Sequence, residues 1–160
     1  MRTHVCTALL SLLVLAIPTA AQDHQRAMGV WVLNTQKSTF SPGPLPDRQT
    51  STWTLLPDGR VKIENDSTDK AGRTSHREMV SRFDGRQEAR SGSAQPTSRA
   101  YRWISDLDFE FEEMIDGKPS VTGRSSTSRD GKVRTLTVNG TRNGQPVHNI
   151  EIYELTAARP

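Results

Sequence analysis

Six aromatic residues, Trp53, Tyr101, Trp103, Phe109, Phe111 and Tyr153, and two arginines that flank a pair of them, Arg99 and Arg102, could together hold a small molecule. Rings supply apolar area and a few polar groups fix orientation, which is what a ligand pocket requires. An arginine of this set that crosses into a cavity would contact an anion with a ring stacked beside it. On the opposite face the same arginine is a solvated cation. The rings are open to two readings as well, since they either line a pocket or fill the interior of a small barrel, and Phe109 and Phe111 lean towards core.

Other chemistries have less to work with. His76 and His148 are the histidines in strand-like segments, and no H-x-H or H-E-x-x-H spacing exists, so a zinc site needs ligands gathered from distant strands. Asp108, Glu110 and Glu112 are spaced two apart, which on a strand is nearly ~7 Å and too far to wrap one Ca²⁺ unaided. Negative edge protection is the simpler reading of that row. Serines are plentiful, but no G-x-S-x-G elbow is present. No catalytic residue, metal ligand set or cofactor is therefore assigned.

These side chains must be positioned by a chain of 160 residues with a formal charge of +3, enough for one domain behind an export signal. The weak net charge excludes a polybasic nucleic-acid binder. Met1–His4 is a short positive start, Val5–Ile17 an apolar run and Pro18–Ala21 a small-residue cleavage site, the three parts of a secretory signal peptide. Residues 1–21 are assigned to that leader and 22–160 to the domain, which leaves no transmembrane segment after cleavage and places the protein in the periplasm or outside the cell. The single cysteine, Cys6, leaves with the leader, so the mature chain has neither disulfides nor thiol ligands.

No sustained helical stripe occurs in the mature chain. Short alternating segments recur between Asp58-Gly59, Asp84-Gly85, Asp116-Gly117, Asp130-Gly131 and Asn143-Gly144, each able to take the positive φ angles of a tight hairpin. Strands are expected near 29–34, 49–56, 60–67, 73–83, 86–90, 98–104, 107–115, 119–128, 132–139 and 147–155. In 107–112, period two puts Leu107, Phe109 and Phe111 on a dry face and three carboxylates on a wet one. The fold class is all-β: one antiparallel up-and-down barrel of about eight to ten strands without substantial helices. Residues 41–46, Ser-Pro-Gly-Pro-Leu-Pro, cannot join a ladder and must arch over something. The start before Met28 and the tail after Leu155 read as frayed.

Gly29-Val30-Trp31 opening the first strand, with Asn34 soon after, resembles the Gly-x-Trp signature of the lipocalin and fatty-acid-binding superfamily, in which the tryptophan plugs the barrel floor. Asp130-Gly131-Lys132, the strand to Asn139-Gly140, and Ile152-Tyr153-Glu154 are similar to the closing two strands of fatty-acid-binding proteins. Gly29 to Asn34, Lys37-Ser38, Phe40 and Pro42 to Pro46 resemble small exported bacterial lipocalin-like proteins. The resemblance implies that Gly29 and Trp31 close the barrel and that Tyr153 meets Trp31 where the ends of the sheet join. It also implies that Glu151 and Tyr153 point inward, although an apolar interior would instead turn Ile150 and Ile152 inward, and period two forbids both. A buried Glu151 needs a donor such as an arginine, or stays protonated. Three departures stand out. Glu151 occupies the place of an arginine that helps hold the ligand carboxylate in fatty-acid-binding proteins. No helical lid follows strand one, so if there is a lid it is the proline loop. The lipocalin arginine that packs over the tryptophan has only Arg134 and Arg142 as candidates.

The function expected is a monomeric, exported, non-enzymatic binder or carrier of a small apolar or amphipathic ligand, using Trp53, Arg99, Tyr101, Trp103, Glu151 and Tyr153. A filled barrel serving as an envelope interaction module is the second reading, and an enzyme using the cavity as a water-excluded site the third.

Overall fold

A computed structural model describes residues 24–157; the leader assigned to 1–21 lies outside the described residues. The described chain is ten antiparallel strands: β1 (Gly29–Leu33), β2 (Arg48–Leu55), β3 (Val61–Thr68), β4 (Thr74–Ser81), β5 (Asp84–Arg90), β6 (Thr97–Trp103), β7 (Phe109–Ile115), β8 (Lys118–Thr127), β9 (Val133–Arg142) and β10 (Gln145–Ala157). β1 pairs with β2 on one side and with β10 on the other, joining the first and last strands, while the remaining neighbours are consecutive. The sheet therefore rolls up until β4 faces β5, where one bridge, Glu78 with Ser91, links them. This is a nearly closed up-and-down barrel. Among the described residues no helix is long and apolar enough to cross a membrane.

Turn chemistry explains most of the meander. Asp116 and Gly117 have φ of 50° and 72°, and Asn143 and Gly144 have 50° and 75°, the paired left-handed conformations of a two-residue hairpin. Asp58-Gly59 and Asp130-Gly131 also sit between paired strands. Asp84-Gly85 does not: it lies inside β5, and β4 and β5 diverge instead of forming the expected hairpin. The reason is Phe83, which takes φ 56°, a conformation costing a bulky residue about 1–2 kcal/mol. Its ring is buried against Trp103 at 4.2 Å and Tyr101 at 5.0 Å, which offsets that cost.

One end of the barrel is plugged. Trp31 is 0% exposed and its indole N–H donates to Ala27 O at 3.1 Å. The Arg134 guanidinium lies 3.9 Å over the Trp31 ring and 4.5 Å from Trp53, and Nη2 donates to the same Ala27 oxygen at 3.0 Å. Of the two arginine candidates, Arg134 is thus the one over the tryptophan. Ala27 closes a 3-10 turn, His24–Ala27, so this segment is an ordered part of the floor where fraying is the sequence expectation. His24 stacks on Trp103 at 4.1 Å. The other terminus is ordered too, with β10 running past Leu155 to Ala157.

The other end is a mouth. β1 stops at Leu33 and the chain continues along β10, with Asn34 N–H donating to Ile152 O at 2.7 Å and Thr39 exchanging bonds with Ile150. The Ser41–Pro42 bond is cis, and the proline-rich segment then crosses the rim, bringing Phe40 and Pro42 to the cavity. Inside the wall, Gly123 faces Phe111 so closely that a Cβ there would meet the ring at 2.1 Å. The missing side chain is what lets the ring approach β8.

Candidate functional site

The interior is hollow. A cavity of about 610 Å³ runs from the mouth to the floor, bounded below by Trp31, Trp53, Phe109 and Arg134. That volume falls within the range of small-molecule pockets. Phe111, Leu136, Val138 and Val147 add apolar wall above the floor.

β10 resolves the choice between its two faces. Glu151 and Tyr153 are buried and line the cavity, while Ile150 and Ile152 are half-buried on the outside, where the 34–39 segment runs alongside. Tyr153 Oη donates to Glu151 Oε2 at 2.8 Å and accepts from Gln49 Nε2. Burial and the adjacent Glu151 raise the Tyr153 phenol well above its ordinary value, so it remains a donor. Asn149 Nδ2 approaches Glu151 Oε1 at 3.4 Å. The donors to Glu151 are thus a phenol and an amide, not the arginine expected. Tyr153 and Trp31 are linked through Arg134, which is the cross-strand partner of Tyr153 on β9.

The arginines gather around Glu113 of β7, near the rim. Period two along β6 turns Arg99 inward with Tyr101 and leaves Arg102 outside, where it meets Glu110 at 3.7 Å. The Arg99 guanidinium sits 4.1 Å over the Phe111 ring, donates to Tyr101 Oη at 3.0 Å, and holds Glu113 Oε2 at 2.7 and 2.6 Å through Nε and Nη2. Arg142 Nη2 takes the other carboxylate oxygen at 2.7 Å. Arg90 Nη1 stands 3.7 Å from Glu113, beyond hydrogen-bond distance, and Arg77 also lines the cavity. Burial, then Arg99 and Arg77 nearby, push Arg90 down to about 9, and burial with Arg99 and Arg142 lowers Arg77. Burial by itself would raise Glu113, but Arg99 and Arg142 outweigh it and hold the carboxyl at about 2.

This ion cluster has a pH signature. Because the folded pKa of Glu113 is depressed from 4.5, its stabilisation is present above the unfolded value and disappears as pH falls from 4.5 to about 2. Acid titration of the folding free energy is expected to show about 2–3 kcal/mol lost in that window on account of this group. Glu113→Gln should flatten that part of the profile. An unchanged acid slope in the variant would show that Glu113 ionisation is not coupled to folding.

Of the residues picked from sequence, Trp53, Arg99, Tyr101, Glu151 and Tyr153 converge on the cavity, together with Phe109 and Phe111. Trp103 does not line it. It is stacked between Phe83 and His24 beneath the floor. Gln49, Arg77, Arg90, Glu113 and Asn149 were not singled out, yet one signal was available: Glu113 shares the parity of Phe109 and Phe111, so the same alternation places it inside. Nothing comparable marks Arg77 and Arg90, since they come from the two strands that fail to pair.

On the outer face, Glu64, His76 and Glu78 bring ligand atoms within 4.8 Å of one another across β3 and β4, so these three need no distant strands. Lys62 Nζ already supplies a cation there, 2.9 Å from Glu64 and 3.3 Å from Glu78. Asp66, bonded to His76 Nδ1 at 2.7 Å, raises the imidazole's pKa. His148 pairs with Asn139 at 2.6 Å. The outer carboxylates are divided: Glu110 meets Arg102 and Arg124, while Asp108 accepts the Thr127 backbone N–H at 2.7 Å.

Comparisons of the chain with protein-family models, with curated proteins and with solved structures found no match.

Proposed function

We propose that this chain is an exported, monomeric, non-enzymatic protein that binds or carries a small amphipathic molecule inside its barrel. The observation that carries the reading is the hollow interior, open at a rim and floored by rings. A barrel of this size can be filled by side chains, as in the interaction-module reading, and this one is not. The lipocalin-like resemblance of the first strand agrees with it, as does Arg134 over Trp31. Glu113, ionised down to about pH 2 and held between two arginines, is a poor base, so the cluster suits binding better than proton transfer.

The proline loop supports the same reading, because Phe40 and Pro42 face the cavity where a ligand would enter. Trp53 lies in the wall, 4.8 Å from Phe109, and should report occupancy. Titrating intrinsic fluorescence with alkyl chains, aromatics and sterol-like compounds is expected to give a saturable change that Trp53→Phe largely removes. No response from any compound at saturating protein would overturn the proposal. Deleting residues 41–46 should alter ligand uptake; lost envelope partners with an unchanged ligand profile would favour the interaction-module reading instead.

A further inference from the structure

The charges on the cavity wall do not balance. Besides Arg134, which lies at the floor over Trp31, four guanidinium groups towards the rim, Arg77, Arg90, Arg99 and Arg142, face it, against one carboxylate in their midst, Glu113. Even if Glu151, which is bonded to Tyr153 and Asn149, is counted against them, the four rim arginines keep two positive charges in excess, apart from Arg134 at the floor. Both Glu113 oxygens are already taken by Arg99 and Arg142. Arg90, with its side chain only 8% exposed, accordingly approaches Glu113 no nearer than 3.7 Å, beyond hydrogen-bond distance. Like charges gathered in a part-desolvated cleft repel one another and raise the local potential for anions. A protein keeps such an arrangement at a cost unless something negative enters it.

Position adds an orientation. Arg90 and Arg142 are the last residues of β5 and β9, and Arg99 lies two residues inside the start of β6, all at the rim end of the barrel. Trp31, Trp53 and Phe109, with Ile63 as the cross-strand partner of Trp53, lie towards the floor. Resting on the carrier function proposed above, we infer that the ligand carries a head group with two negative charges, a phosphate monoester or a paired dicarboxylate, held at the rim by Arg77 and Arg90. Its apolar body points down to Trp53 and Phe109. A single carboxylate could bridge both arginines, as Glu113 bridges Arg99 and Arg142, but it brings one negative charge to two positive ones and leaves the site with a charge in excess. Arginine forks match both dianions, since each offers oxygens for parallel N–H bonds.

The test is a ligand series on the leaderless protein, read by fluorescence and calorimetry: decyl phosphate, decylsuccinate, decanoate and decanol. At pH 8 at least one dianion should bind ten or more times more tightly than decanoate, and the two dianions tell phosphate from dicarboxylate. Decyl phosphate should tighten between pH 5 and 8 as its second proton leaves, near ~6, whereas decanoate should not. Arg90→Gln and, independently, Arg77→Gln should reduce the dianion-to-monoanion ratio tenfold or more. Should Arg90→Gln fail to fold, the more exposed Arg77 position and the wild-type series still decide the matter. Equal affinity for all four compounds, or ratios untouched by Arg77→Gln, overturns the dianion while leaving a carrier. Binding by none of them overturns the dianion and the carrier reading together.

Discussion

Glu113→Gln is expected to destabilise the fold by about 3–5 kcal/mol, because removing one partner of a buried ion cluster strands the others. Glu113 is 3% exposed and is the only carboxylate within ion-pair reach of Arg90, Arg99 and Arg142 among the described residues. Glutamine keeps the shape and one acceptor but removes the charge that offsets three guanidinium groups. A loss of that size is a large part of the stability of a small domain, roughly 5–15 kcal/mol. Urea unfolding measures it directly. Saturating decyl phosphate should restore part of the loss if a dianion can take the place of the missing charge. A change below about 1 kcal/mol would mean that water already screens the arginines.

Trp31→Ala is the second large effect, about 3–5 kcal/mol, the usual cost of deleting a fully buried large aromatic side chain. The consequence extends beyond the lost area. The indole N–H and Arg134 Nη2 share the Ala27 carbonyl, and the indole face is the main platform for the Arg134 guanidinium. Burial has pushed Arg134 down to about 9, and its Nε has no hydrogen-bond partner among the described residues, so the ring is part of what compensates a buried cation. Without it the His24–Ala27 turn should detach and the floor open to water. Tryptophan emission from Trp103, stacked on His24, should shift to the red in the variant. A blue emission with intact stability would show that the floor does not depend on Trp31.

Much of the barrel was legible because a strand's alternation and its turns are local properties. Asp116-Gly117 and Asn143-Gly144 specify their turns through φ alone, with no information from the rest of the chain. Asp84-Gly85 reads the same way and misleads, because the deciding residue is its neighbour Phe83, held in a strained conformation by rings on β2 and β6. Trp103 misleads similarly: its parity matches Tyr101, but it lies one step deeper and falls below the floor, under Phe83. Parity says which side of a sheet a residue faces and not how far along the axis the cavity extends.

The amino-acid sequence by itself determined an antiparallel meander of about eight to ten short strands and the alternation that puts Arg99 on the same face as Tyr101, while the placing of the strand-one tryptophan at the floor came from the resemblance. Period two and turn geometry act over a few residues, so they can be read without coordinates. Only the tertiary structure decided that Glu151 and not Ile150 faces inward, that the interior is empty, and that arginines from β4, β5, β6 and β9 surround Glu113 on β7. Those outcomes depend on where the sheet closes and how wide the resulting cylinder is, and both are set by contacts between strands far apart in the chain.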